Sequence, residues 1–140
     1  MSEDDVQRIM RLPWVAIASD GAALRKEGVL GQGLPHPRSF GTNPRVPRKY
    51  VREEKALTLE DAVRTMTSFP AQILRLADRG LLREGYWADV VVFDPEHIID
   101  NATYDDPKQF PTGIPFVVVN GQVAVDNERC TGVLAGHAVP

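Results

Sequence analysis

Several features that would narrow a protein's role at once are missing from this sequence. It has a single cysteine, Cys130, which cannot form an internal disulfide and is compatible with a reducing compartment. Apolar runs such as Val90 to Phe93 and Phe116 to Val119 fall far short of the roughly 20 residues needed to span a bilayer, which excludes a membrane helix. Neither sign of charge dominates. With a formal net charge of −3 and both signs interspersed, the chain has no global attraction for a polyanion, so nucleic acid and anionic membrane are disfavoured as its main partner. The opening residues, MSEDDVQRIM, are acidic and have neither the basic start nor the apolar core of a secretory signal, and the reading places the chain in the cytoplasm. There is no internal repeat, low-complexity tract, nucleophile arrangement, phosphate loop or zinc-finger spacing. What is left is an ordinary globular composition, 43% hydrophobic and 25% charged over 140 residues, with room for one domain or two small ones.

Local signals then divide the chain. Ser2 followed by Glu3, Asp4 and Asp5 is an N-cap signature with acids against the positive end of a helix dipole, and Val6, Ile9 and Met10 follow at helical spacing. Leu12-Pro13 ends that helix. Trp14 to Ala18 is a continuous apolar run too short for a helix, as expected of a strand covered on both faces in a parallel α/β sheet. From Ala22 to about Ala56 no periodicity is sustained, and glycines and prolines are frequent, so this stretch reads as a long active-site loop or a linker. Its latter half carries Arg38, Arg45, Arg48, Lys49, Arg52 and Lys55, a basic group suited to an anion or simply to solvent. Thr58 with Asp61 three positions on opens a capped amphipathic helix, Ser68-Phe69-Pro70 restarts the pattern, and Gly80 supplies a stop. Beyond it the texture becomes β-rich, from Leu81 to Pro140, with Asn120-Gly121 marking a two-residue hairpin.

Three residues are candidates for chemistry. Asp20 directly follows the apolar run, and in α/β sheets and barrels ligands bind at the carboxyl ends of strands. Gly21 lets the chain turn there, and the competing reading is that Asp20 fixes that turn. His36 and Arg38 lie in GLPHPRSFGT, where flanking prolines hold the backbone extended; the planar fork of Arg38 suits a carboxylate, with a structural or surface role as the alternative. His97, His137 and Cys130, the last in an expected turn, have no metal-ligand spacing and read as structural or surface residues; Asp89 reads as fixing a turn.

Taken together, Ser19-Asp20-Gly21, PHPRSFGTNPRV, the segment from Tyr50 through Pro95 and VVVNGQVAVD closely resemble the C-terminal portion of N-acyl-D-amino-acid deacylases of the amidohydrolase superfamily, over roughly Met1 to Thr131. The most specific pieces are the SDG and HPR motifs in this order and the Gly-x-x-Ala-Asp-Val segment at Gly85 to Val90. The resemblance implies an α/β fold: the C-terminal remnant of a metal-dependent (β/α)₈ barrel over residues 1–80, with the last strand, an active-site loop and helices, and part of a small β-sandwich-like domain over 81–140. It implies that Asp20 binds a catalytic zinc and takes a proton from its bound water, and that Arg38, with His36 beside it, binds the substrate's α-carboxylate. The implied substrate is a small N-acyl amino acid whose linear amide is hydrolysed. Because a complete barrel takes about 250 residues, the resemblance also implies a terminal fragment, a split product, or a subunit completed by a missing N-terminal chain, with most zinc ligands absent. A noncatalytic fragment or interaction module and a related cyclic-amide hydrolase are the alternatives.

Overall fold

The computed structural model describes residues 2–139, and its first helix, α1 (Glu3–Met10), starts as the cap signature requires. The Ser2 hydroxyl oxygen accepts from the Asp5 amide at 3.2 Å, and the Asp5 carboxylate accepts in return from the Ser2 backbone N–H and hydroxyl. Two otherwise unpaired donors at the helix start are satisfied reciprocally.

Trp14 to Ala18 departs from expectation. Trp14 lies in a turn, the residues after it form no strand, and Trp14 is 69% exposed. Its tie to the rest of the fold is the Ile17 N–H, which donates to the Thr65 carbonyl at 3.0 Å. A strand exists only where a neighbour completes its ladder, and none of the described residues supplies one here.

The supposed loop from Ala22 to Ala56 is also corrected. After a 3₁₀ turn at Val29–Gly31, residues 38–53 are helical: α2 (Arg38–Arg45) runs into a π-helical segment (Val46–Glu53). Pro44, inside α2, and Pro47, near the start of the π segment, lack amide protons and break the ordinary ladder twice, and beyond them the pitch is the wider π one, with the Glu54 N–H donating to the Lys49 carbonyl at 2.8 Å. The proline content and the altered pitch together erase the 3.6-residue periodicity that would have revealed the helix. Val46 and Tyr50 on its inner face are buried with Ala56 and Ala62.

Helix α3 (Leu59–Met66) is capped by the Thr58 hydroxyl, which accepts from the Asp61 amide, and α4 (Ser68–Ile73) follows with Pro70 in its first turn. This helix ends well before Gly80. Arg75 takes a left-handed conformation, φ 58°, while the Leu76 N–H reaches back to the Ala71 carbonyl and the Arg75 N–H to that of Gln72. That is a Schellman ending with arginine where glycine is usual.

The C-terminal part forms one four-stranded antiparallel sheet in the order β1 (Val90–Val92), β2 (Phe116–Val119), β3 (Gln122–Asp126), β4 (Arg129–Cys130). Asn120 and Gly121, both at positive φ, make the expected β2–β3 turn. Asp89 holds that turn by accepting from the Asn120 amide at 2.8 Å, as its reading anticipated. Cys130 lies not in a turn but in β4, opposite Val125, because Asn127 and Glu128 already close the β3–β4 hairpin with left-handed backbones. No helix of the described residues is long and apolar enough to cross a membrane.

A buried carboxylate joins the helical and C-terminal parts. Asp100, 8% exposed, accepts from Arg48 Nη1 at 2.8 Å and lies 3.8 Å from Arg45 Nη1. The pair holds the Arg48 guanidinium above its ordinary pKa. Arg52 extends the seam by donating to the Pro95 and Ile98 carbonyls. Asp100→Asn keeps the shape but removes the charge, and should lower the unfolding free energy by about 2 kcal/mol, the scale of a hydrogen bond to a charged group, as measured by urea denaturation.

Helix α1 is docked on the end of the π segment by Lys49, whose ammonium meets Glu3 at 2.9 Å, with Gln7 donating to Glu54 and Arg11 to the Ala56 carbonyl. The Lys49 hydrogen bond holds the Glu3 carboxyl below its ordinary value of 4.5. A carboxylate whose pKa is depressed by folding stabilises above its unfolded value, and that stabilisation is lost as pH falls through the folded value. Acidification below about pH 4.5 should therefore loosen α1. Glu3→Gln should be less stable than the parent at neutral pH and equal to it at the acid end, in a pair of pH-dependent unfolding curves.

Candidate functional site

The apolar run from Trp14 ends at Ser19-Asp20-Gly21, where the Ser19 hydroxyl accepts from the Gly21 amide at 3.2 Å. Asp20 has φ 49°, the left-handed region that aspartate tolerates better than most residues. Gly21 is pressed against the start of α2: a Cβ there would stand 2.9 Å from the Ser39 Cα. This contact, which only glycine permits, brings the SDG turn beside the HPR turn.

Arg38 is the first residue of α2. Its Nη1 meets Asp20 Oδ2 at 2.9 Å, with the two side chains 45% and 83% exposed. Ion pairs in such exposed surroundings add little to stability, so another carboxylate can replace Asp20 on this guanidinium at small cost. The planar fork of Arg38 presents paired N–H donors that match a carboxylate.

His36 supports the backbone at this point. Its Nδ1 accepts from the Arg38 amide at 3.1 Å, and its Nε2 lies 3.0 Å from the Tyr104 hydroxyl, with the two rings edge to face at 5.1 Å. An Nδ1 that accepts from a backbone N–H is unprotonated, so in the neutral ring the proton is on Nε2 and is donated to Tyr104. The structure thus brings together all three residues singled out in the sequence, with Asp20 and Arg38 in contact and His36 bonded to the Arg38 backbone rather than facing either charge.

The other histidines lie elsewhere. His97 pairs with Asp94 at 2.8 Å on the surface, which holds the Asp94 carboxyl below its ordinary range, and His137 packs edge to face on Trp87. Tyr104 and Asp100 are the participants that sequence reasoning missed. Neither lies in a motif or a periodic pattern, and both acquire a role only from partners far along the chain.

A metal centre is not complete here. Among the described residues no three or more His, Cys, Asp or Glu side chains converge to hold an ion. Asp20 is a lone carboxylate facing an arginine, whereas a zinc site takes three or more protein ligands, so these residues alone do not fit zinc.

Comparison with known proteins gives a consistent result. Residues 29–125 match the amidohydrolase family. The chain is 46% identical over 121 residues to the N-acyl-D-glutamate deacylase of Alcaligenes xylosoxydans xylosoxydans, covering 86% of this chain and 23% of that protein. Among solved structures, a D-aminoacylase described as defining a novel subset of amidohydrolases superposes with a TM-score of 0.87 at 41% identity, covering 97% of this chain and 27% of that one. The N-acyl-D-glutamate deacylase of Bordetella bronchiseptica, solved with zinc and a phosphonate mimic of the tetrahedral intermediate, superposes with a TM-score of 0.79 at 44% identity. It matches over 89% of this chain and 25% of its own. The chain therefore spans about a quarter of the length of these relatives.

The Gly21 contact is open to a direct test. Gly21→Ala places a methyl group against backbone rather than a movable side chain, and should cost about 1–3 kcal/mol of stability, the usual scale of overpacking. The Arg38 guanidinium resonance should move with it as the Asp20 pair separates, read by nuclear magnetic resonance (NMR).

Proposed function

The chain belongs to the amidohydrolase family, and from that premise we propose that it supplies the aspartate and the arginine of an enzyme that hydrolyses the linear amide of N-acyl-D-amino acids. The observation that carries this reading is the 2.9 Å pairing of Arg38 with Asp20, a reader of carboxylates set directly beside a carboxylate that can hold a proton. Relatives that match most of this chain include an N-acyl-D-glutamate deacylase, an N-acyl-D-aspartate deacylase and a D-aminoacylase, which supports the substrate class.

In this reading residues 1–80 are the closing part of a (β/α)₈ barrel and 81–140 its small β-domain. Asp20 then sits at the mouth of the barrel, where ligands gather. The bare edges of the Trp14 to Ser19 segment are filled by neighbouring strands from outside these residues, as are the places of the other zinc ligands, Asp20 providing one.

The chain's own residues divide the work. Arg38 exchanges Asp20 for the α-carboxylate of the substrate through parallel N–H donors, which fixes the amide relative to the freed aspartate. Asp20 takes a proton from the attacking water as its oxygen bonds to the amide carbon, and returns it to the nitrogen as the carbon–nitrogen bond breaks. A carboxylic acid and a free amino acid result. The requirement for a free α-carboxylate sets this reading apart from hydrolysis of a cyclic amide.

The test is reconstitution. The chain is combined with the N-terminal three quarters of an N-acyl-D-glutamate deacylase and zinc, and release of glutamate from N-acetyl-D-glutamate is followed. Activity should depend on the chain, fall in kcat by about 10²–10⁴-fold in Asp20→Ala, as for loss of a proton-transfer group, and rise in KM by about 10–100-fold in Arg38→Ala, as for loss of a charge-assisted pair. Assembly without activity would favour a noncatalytic module, and an active Asp20→Ala would remove that residue from the chemistry.

A further inference from the structure

Helix α2 begins with a difficulty. Its N-cap is Pro37, which has no side chain able to accept a hydrogen bond, although the first amides of a helix lack partners within it. Arg38 is the first of those amides. His36 fills the gap twice: Nδ1 accepts from the Arg38 N–H at 3.1 Å, and its carbonyl accepts from the Ser39 N–H at 3.1 Å. The residue that fixes the arginine's backbone is therefore an imidazole one position before the cap, and it works only in the rotamer and tautomer that aim the Nδ1 lone pair at Arg38.

Tyr104 steadies that state. It meets His36 from 68 residues away, and with 77% of its surface exposed it is not held there by burial. Its hydroxyl accepts the Nε2 proton at 3.0 Å, and its ring meets the imidazole edge to face. With Nδ1 committed to the Arg38 amide, the hydroxyl anchors the Nε2–H edge and the ring contact holds one ring orientation. The turn that presents Tyr104 is itself fixed, because the Thr103 hydroxyl accepts from the Asp106 amide at 3.0 Å, the Thr103 amide donates to the Asp106 carbonyl, and Pro107 is fully buried.

The same segment also grips the loop before His36. Lys108 donates to the Gly31 carbonyl, Lys26 lies over the Phe110 ring at 4.4 Å, and Phe110 packs on Phe40 in α2. Residues 103–110 thus strap both ends of the segment that leads into Arg38.

We propose that Tyr104 is a positioning residue for the carboxylate-binding arginine, acting through His36, which passes the restraint to the Arg38 backbone. The proposal rests on the reading of Arg38 as the substrate's carboxylate contact. It adds a contribution from the C-terminal part of the chain to a site otherwise assigned to the N-terminal part.

Two measurements test it. On the chain alone, NMR of the imidazole nitrogens should show His36 as the Nε2–H tautomer, and Tyr104→Phe, which keeps the ring but removes the hydroxyl, should shift it toward a mixture and weaken the hydrogen-exchange protection of the Arg38 amide. In the reconstituted enzyme, the same variant should raise KM for N-acetyl-D-glutamate by about three- to tenfold, the scale of one hydrogen bond, with kcat nearly unchanged. His36→Asn provides the control. Its side-chain oxygen can accept from the amide two residues on, as asparagine commonly does in turns, and so should hold Arg38 without help from Tyr104. Adding Tyr104→Phe to His36→Asn should then change nothing. An equal KM penalty in both backgrounds, or an unaltered His36 tautomer in Tyr104→Phe, overturns the proposal. Because the tautomer and exchange measurements need no turnover, a failure of the deacylase reading leaves this arm intact and distinguishable.

Discussion

A carboxylate removed from water has to be met by positive charge, and the meeting of Asp100 with Arg48 and Arg45 is the constraint on which much of the remaining arrangement depends. It fixes the helix of residues 38–53 against the stretch that follows β1. One end of that helix carries Arg38; the stretch leads into Tyr104 and Phe110. Gly41 faces the same carboxylate, where an added Cβ would lie 3.5 Å from that of Asp100, so the helix approaches closely and the aspartate stays covered. A buried pair of this kind is a modest source of net stability but a strict determinant of register, since either partner alone would be left without its counterpart.

The parts of the fold that the sequence made legible are those decided within a few residues. Ser2 with Asp5, Thr58 with Asp61, and Asn120 with Gly121 do in the structure what their side chains and backbone preferences require, because the partner atoms are adjacent in the chain. The helix of residues 38–53 was hidden for an equally local reason: Pro44 and Pro47 argue against a helix, and the π pitch removes the spacing by which one is recognised. The Trp14 to Ser19 segment shows the opposite limit. Its composition describes a buried strand, but a strand's ladder is a property of at least two segments.

The candidate site divides in the same way. Asp20, His36 and Arg38 stood out as residue types in suggestive places, whereas their mutual geometry did not: Gly21 against Ser39 sets Asp20 beside Arg38, and His36 turns its nitrogen to the backbone. Tyr104 was invisible because its meaning lies entirely in a contact made across 68 positions. The resemblance in sequence pointed to the correct family, and the match over residues 29–125 agrees with it. What neither could supply is the coupling between the two charged residues and the segment behind them.

The closure of Gly21 on Ser39 has a consequence for the chain between them. Once both ends of a segment are held, its interior can lengthen or shorten without disturbing what it connects, since doubling such a loop costs only about 0.6 kcal/mol of closure entropy. Within the stretch from Ala22 to Pro35, Lys26 and Gly31 are held by residues 103–110, and the exposed tip between them, Glu27 to Leu30, is where an insertion disturbs the charged pair least. That tip can change in length while Asp20 and Arg38 keep their distance.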